Sequence, residues 1–431
     1  MFLQKIGKRQ FVRDVATVAT GTAVAQFLGV AFSPLITRLY GPEAFGLFGM
    51  FMALVSILAP VAALSYPIAI VLPERDEDAK MLIRLSVYIS LGIASVAGLA
   101  LLAGGSWMLD LLDARAIAAF KFLIPLNILF AAWMQIAQQW VVRKKQFKTS
   151  AKAAVAQAAL ENGAKTGIGF YHPLSAVLII VSTLGYVFHV AFLYFSQTKQ
   201  QNPPGDRNTS EGNKPAGEKG TLKSIAKSYR DFPLFRAPQV FINSISQGLP
   251  VLMLAAFFGP AAAGFYALGN KILKMPSVLI GNSVHTVFYP KIAETANKGQ
   301  NLCKPILRTT LYMAITGIWP FAIVLVFGPW LFGFIFGSEW IQAGEYARWI
   351  SLWAFFAFLN RPSVASIPVI GLQKFFLGYE IISVCLRVAA LLAGFYLFQD
   401  DVMAILLFSL TGVAMNMFLI ISTIYKSRYH G

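Results

Sequence analysis

Twelve apolar stretches, each about as long as a bilayer is thick, constrain this chain more tightly than any motif it carries. They lie near residues 15–37, 44–72, 82–104, 116–140, 150–170, 174–196, 232–257, 263–290, 306–328, 342–369, 375–397 and 402–424, and Pro, Gly and charged residues separate them. A spanning helix needs about 20 consecutive apolar residues. Charged residues make up only 13% of the chain, against about 25% in a soluble protein, so most of its surface does not face water. The expected fold class is an all-α polytopic membrane protein. Ala23-Val24-Ala25 resembles a signal cleavage site, but the preceding DVATVATGT is too polar for the apolar core of a signal peptide. That stretch reads as the first retained span.

Charge tests the count. The net charge of +17 could indicate a nucleic-acid partner, but cytoplasmic loops of membrane proteins are enriched in Lys and Arg. With twelve spans and both termini cytoplasmic, twenty-six basic residues fall on the cytoplasmic side. Only Arg38, Arg115 and Lys121 fall on the other. An odd number of spans before the midpoint would scramble this asymmetry, so no nucleic acid is expected. Cys303 and Cys385 match no metal or redox spacing, and no metal or cofactor is expected.

The hydrophilic stretch 197–220, QTKQQNPPGDRNTSEGNKPAGEKG, cannot bury a core and reads as a disordered cytoplasmic linker. Lys223, Lys227 and Arg230 follow at helical spacing, suited to a short interfacial helix on the anionic inner leaflet. The expected organisation is a six-helix bundle over 1–196, a linker with its short helix over 197–231, and a second six-helix bundle over 232–431. The halves open alike: YGPEAFGLF at 40–48 and FGPAAAGFY at 258–266. In each, Gly ends one helix and Pro starts the next, where its missing N–H costs nothing. GSWMLDL (105–111) and GPWLFGF (328–334) correspond at a similar offset, just after the third span of each half. An even number of spans per half makes the repeats parallel.

The runs TRLYGPEAFGLFGMFMALVSILAPVAALSYPIAIVLPERDEDA (37–79) and YRDFPLFRAPQVFINSISQGLPVLMLAAFFGPAAAGFYALGNKILKMPSVLIGNSVHTVFYPKIAE (229–294) resemble the polysaccharide-unit flippases. These belong to the exporter superfamily that also holds the MATE drug exporters and the lipid II flippases. The resemblance implies a V-shaped, MATE-like pair of six-helix bundles in the bacterial inner membrane. It implies an undecaprenyl-diphosphate-linked oligosaccharide as substrate, moved by alternating access from the cytoplasmic to the periplasmic leaflet for O-antigen, capsule or exopolysaccharide synthesis. Membrane lipids, a polysaccharide polymerase and a chain-length regulator are the implied partners. Whether Na+ or H+ couples the cycle stays open.

Ionisable side chains at bilayer depth cost roughly 2.5–3.5 kcal/mol each on insertion scales, so each needs a reason. The spans hold Lys165, Arg236, Lys271, Lys274, Arg348, Arg361 and Arg387 against only Glu161, Glu345 and Glu380, an excess that favours an anionic ligand. Lys271 and Lys274 share one helix face, which Asn282 and His285 continue. Arg236, Gln239, Asn243 and Gln247 form a second polar stripe, and Thr22, Gln26, Ser33 and Thr37 a third. Aligning the Gly-Pro pairs sets Lys271 against Ala53 and Lys274 against Ser56, so this charge belongs to one half only. The expected site has Lys271, Lys274, Arg236 and Arg361 on the diphosphate, with Asn243, Gln247, Gln26 and Asn282 on sugar hydroxyls. Other roles compete: Arg236 can reach headgroups, the Gln and Asn stripes can join helices, Glu161 and Lys165 have the spacing of an intrahelical pair, and Glu380 and Arg387 can brace neighbouring helices. Arg361 precedes Pro362, a helix break.

Alternative functions remain. A lipid II flippase would handle diphosphate in the same way. A cation-coupled drug exporter needs a buried carboxylate for its cation, and the first span offers only Asp14 at its edge. A membrane polymerase or glycosyltransferase needs a folded extramembrane domain with an acid, base or metal motif; the sequence shows no such domain, and the run ERDED at 74–78, which holds the one Asp-x-Asp spacing (Asp76 and Asp78), reads as a loop end.

Overall fold

A computed structural model describes residues 17, 20–111, 115–200, 221–298 and 300–428, nearly all of them helical. The helices are α1 (Thr20–Ala31), α2 (Ser33–Leu58), α3 (Tyr66–Ala69), α4 (Asp76–Leu111), α5 (Leu123–Arg143), α6 (Phe147–Gly169), α7 (Ser175–Gln200) and α8 (Leu222–Ser228). They continue with α9 (Ala237–Phe258), α10 (Pro260–Asn297), α11 (Cys303–Phe336), α12 (Ile341–Leu359), α13 (Arg361–Ile370), α14 (Gln373–Ala393) and α15 (Asp401–Ser427). Each apolar window falls mostly on helix where it is described. Among the described residues, eight helical segments are long and apolar enough to cross a membrane, and the protein is a multi-pass membrane protein. Helices α5, α6 and α10 fall outside those eight, and they carry Gln138, Glu161 with Lys165, and Lys271 with Lys274. The polar residues that dilute their hydropathy are those that build the sites below.

The described residues form two compact units. One contains residues through Ile36 together with Phe51–Gly248, the other Thr37–Met50 with Leu249–Gly431. The expected 197–220 linker falls largely on residues 201–220, which lie outside the described residues.

The Gly-Pro junctions explain the shared nonapeptides. Gly41 has φ 66° and ψ 170°, and Gly259 has φ 87° and ψ 171°. That region is essentially restricted to glycine and costs another residue about 1–3 kcal/mol. Within the second unit the two copies meet reciprocally. A Cβ on Gly46 would run into the Pro260 carbonyl oxygen, and one on Gly264 would run into that of Pro42. Each copy thus offers the other the same glycine-to-carbonyl contact, as in a self-complementary two-fold interface.

Other boundaries moved for identifiable reasons. The third helix of each half runs through GSWMLDL and GPWLFGF instead of ending before them: α4 has 36 residues and α11 has 34. In α11, Pro320 and Pro329 sit inside the helix. The window 44–72 is helical only to Leu58 and then turns through Ala59–Val61 and α3. Arg143 holds this loop by donating to the carbonyls of Ile70 (3.2 Å) and Pro73 (2.6 Å) and to Asp76, while Tyr66 donates to the Ala226 carbonyl of α8. A short helix stands where one was expected, as α8, with Ile225 buried against Tyr66, Leu82 and Trp140 while Lys223 and Lys227 stay exposed. In the second unit Trp340 is fully buried between Phe45 and Phe265 and donates to the Thr37 carbonyl.

Candidate functional site

Helix α10 has a covered side and an uncovered side. Leu268, Gly269 and Leu273 are buried, with Gly269 against Ala343 and Ala347 of α12. Lys271 and Lys274 are exposed. The predicted break before Pro362 is present: α12 ends at Leu359, Asn360 is buried and donates to Asn416 Oδ1 (2.9 Å), and Arg361 starts α13. Arg361 is exposed and makes no side-chain hydrogen bond or ion pair among the described residues. Because α13 packs on α10, the second unit carries all three cations on one pair of packed helices. Asn282 lies on α10, but its side chain, like that of His285, is outside the described residues.

The remaining candidates belong to the first unit. Arg236 ends a short π-helical turn, Phe232–Arg236, at the start of α9, and its guanidinium donates to Gln239 Oε1 at 3.0 Å. Asn243 and Gln247 continue that stripe, and both are exposed, as are Gln26 and Thr22 on α1. The third stripe divides: Ser33 is buried and donates to the Gly29 carbonyl at 2.7 Å, and Thr37 is buried on the Phe336 carbonyl.

The intrahelical pair read from spacing is present. Lys165 Nζ lies 2.6 Å from Glu161 Oε1, and Ser182 Oγ donates to the same oxygen at 2.8 Å. This pair is part of a longer ladder across α5, α6 and α7 that the sequence reading missed. His189 is 2% exposed, with Nδ1 2.6 Å from Gln157 Oε1 and Nε2 3.4 Å from Gln138 Nε2. Asn127 donates to Thr183 Oγ1 at 2.8 Å. The available signal was Gln157, Glu161 and Lys165 at steps of four, facing a lone His189 in an apolar window.

Three other cations have structural roles. Arg38 donates to the Phe334 carbonyl (2.9 Å) near the end of α11. Arg387 bears out the bracing role: it donates to the Ser383 carbonyl at 3.1 Å and lies over the rings of Trp353 (5.5 Å) and Phe408 (5.8 Å). Arg348 pairs with Glu345 at 3.1 Å.

These observations define a polytopic helical membrane protein with cations and polar ladders on its packed helices. Residues 35–345 match the polysaccharide biosynthesis protein family, and the chain belongs to that family. It is 21% identical over 329 residues to the succinoglycan biosynthesis transport protein ExoT of Rhizobium meliloti (strain 1021), a match covering 75% of this chain. The chain spans 61% of the length of that relative. Among solved structures it is similar to the lipid II flippase MurJ in an inward closed conformation, with TM-score 0.67, 14% identity, and 94% of this chain and 87% of that one covered. It is also similar to an inward-facing multidrug resistance MATE family transporter of the MOP superfamily, with TM-score 0.66, 11% identity and coverage of 96% and 95%.

Proposed function

We propose that the protein is a flippase of the bacterial inner membrane that moves an undecaprenyl-diphosphate-linked oligosaccharide from the cytoplasmic to the periplasmic leaflet. The observation that carries this reading is the set Lys271, Lys274 and Arg361, uncovered on the packed helices α10 and α13 in a chain of the polysaccharide biosynthesis family. Cations at membrane depth are costly in hydrocarbon and mark substrate paths. In this reading they neutralise the diphosphate, with Arg236 as a further cation, while Gln26, Asn243, Gln247 and Asn282 hydrogen-bond glycan hydroxyls. Twelve traversals by two parallel six-helix repeats suit this role. A lipid II flippase would use the same cations, and the succinoglycan transport relative favours a polysaccharide unit. Membrane lipids surround the chain, and a polymerase and chain-length regulator would act after it.

The reading is tested by reconstituting the protein in vesicles with a fluorescent undecaprenyl-diphosphate-linked disaccharide. A flippase changes the probe's leaflet and leaves its mass unchanged. A change of mass with no change of leaflet would replace the flippase with an enzyme.

A further inference from the structure

We propose that the groove between α1 and α6 binds one anionic phospholipid, with an acyl chain between the two helices and the phosphate on Lys152 and Lys148. The site is independent of the flippase reading above, since it needs only a chain that lies in a bilayer.

The groove belongs to the first unit and has a volume of about 640 Å³. The two helices touch at Gly21, where a Cβ would collide with Ala151. Past that contact, Val24 of α1 and Val155, Ala156 and Ala159 of α6 wall the groove. The alanines leave open a space that longer side chains would close. On α6 the lining runs from Ala151 to Ala159, which at 1.5 Å per residue is about 12 Å of helix. Half of a hydrocarbon core about 30 Å thick is about 15 Å, so the groove is about one leaflet deep. A phospholipid acyl chain has that reach, whereas an undecaprenyl chain is several times too long.

The charged end selects the headgroup. Among the described residues, Lys152 is the one charged side chain lining the groove, and it lies near the start of α6. Lys148 stands four residues earlier on the same helix face, and both lysines are exposed. Neither makes a side-chain hydrogen bond or ion pair among the described residues. The preceding basic turn is different, because Arg143 and Lys144 are both committed to Asp76. A lysine that met headgroups in general would need only its own stem along apolar surface, with no cavity beside it. Here an uncommitted ammonium stands at the end of an apolar slot, with a second one turn away. That pairing of charge and shape complements a phosphate joined to an acyl chain. A net negative headgroup suits two lysines better than a zwitterionic one, which would bring its own cation to them. The bound chain would occupy the space past Gly21 and brace α1 against α6.

The full-length protein, delipidated in detergent, tests the site when given phosphatidylglycerol or phosphatidylcholine with identical chains. Native mass spectrometry is expected to show the first phosphatidylglycerol bound about tenfold more tightly than the first phosphatidylcholine. Lys148→Gln with Lys152→Gln should erase that preference, and Lys148→Arg with Lys152→Arg should keep it. Phosphatidylglycerol with a photoreactive group on its acyl chain should label the peptides that carry Val24 and Val155. Ala156→Trp, which fills the groove, should abolish that labelling. Equal binding of the two lipids overturns the proposal, as does a preference that survives both glutamines. Labelling confined to other helices, or labelling that survives Ala156→Trp, overturns it too. If undecaprenyl phosphate displaces the label at lower concentration than unlabelled phosphatidylglycerol, the groove holds a polyprenyl tail and the phospholipid assignment falls.

Discussion

The two units treat their intramembrane charges differently. In the first, Lys165 is buried on Glu161, and a buried histidine is held between two glutamines. In the second, Glu345 is bound to Arg348, while Lys271, Lys274 and Arg361 are exposed on α10 and α13. Charges of the first kind are settled by the protein itself, so they hold helices together. Charges of the second kind are exposed, and in the proposed function they are the ones that meet the diphosphate. Removing one kind should therefore cost stability, and removing the other should cost transport.

The largest effect is expected from Lys271→Ala combined with Lys274→Ala. Surface polysaccharide should be abolished with protein abundance unchanged, as measured by glycan blotting beside an immunoblot. Next comes Lys165→Ala. Removing one partner of a buried pair strands the other charge and typically costs about 3–5 kcal/mol, so the thermal midpoint in detergent should fall clearly, whereas Lys271→Ala should leave it in place. If both substitutions shift the midpoint equally, the contrast between the units is wrong. Arg348→Ala should have the smallest effect. Both side chains of the pair are 30% exposed, so removing Arg348 strands no fully buried charge and should cost less than Lys165→Ala.

The sequence revealed features that depend on local chemistry. Gly41 and Gly259 were readable because their backbone region admits little else, and Pro42 and Pro260 because proline starts helices. The break at Asn360 followed from Pro362, and the Glu161–Lys165 pair from a spacing of four. What escaped depends on tertiary packing. The His189 ladder draws on three helices whose polar faces meet only after folding, and Arg38 caps carbonyls 296 residues away. Helix ends escaped as well. α4 and α11 continue past the apolar windows because helical hydrogen bonding does not stop where hydropathy falls. For the cations, the charge excess and the shared face of Lys271 and Lys274 were readable. The packing of α13 on α10, which adds Arg361 to them, was not.

The most direct measurement is native mass spectrometry of the purified protein with undecaprenyl diphosphate and, separately, with undecaprenol, which has the same tail and no phosphate. The account predicts binding of the diphosphate in preference to the alcohol, and a loss of that preference by at least about tenfold, or about 1.4 kcal/mol, in the Lys271→Ala, Lys274→Ala variant. Equal binding of the two lipids by the wild type, or an unchanged preference in the variant, would contradict it.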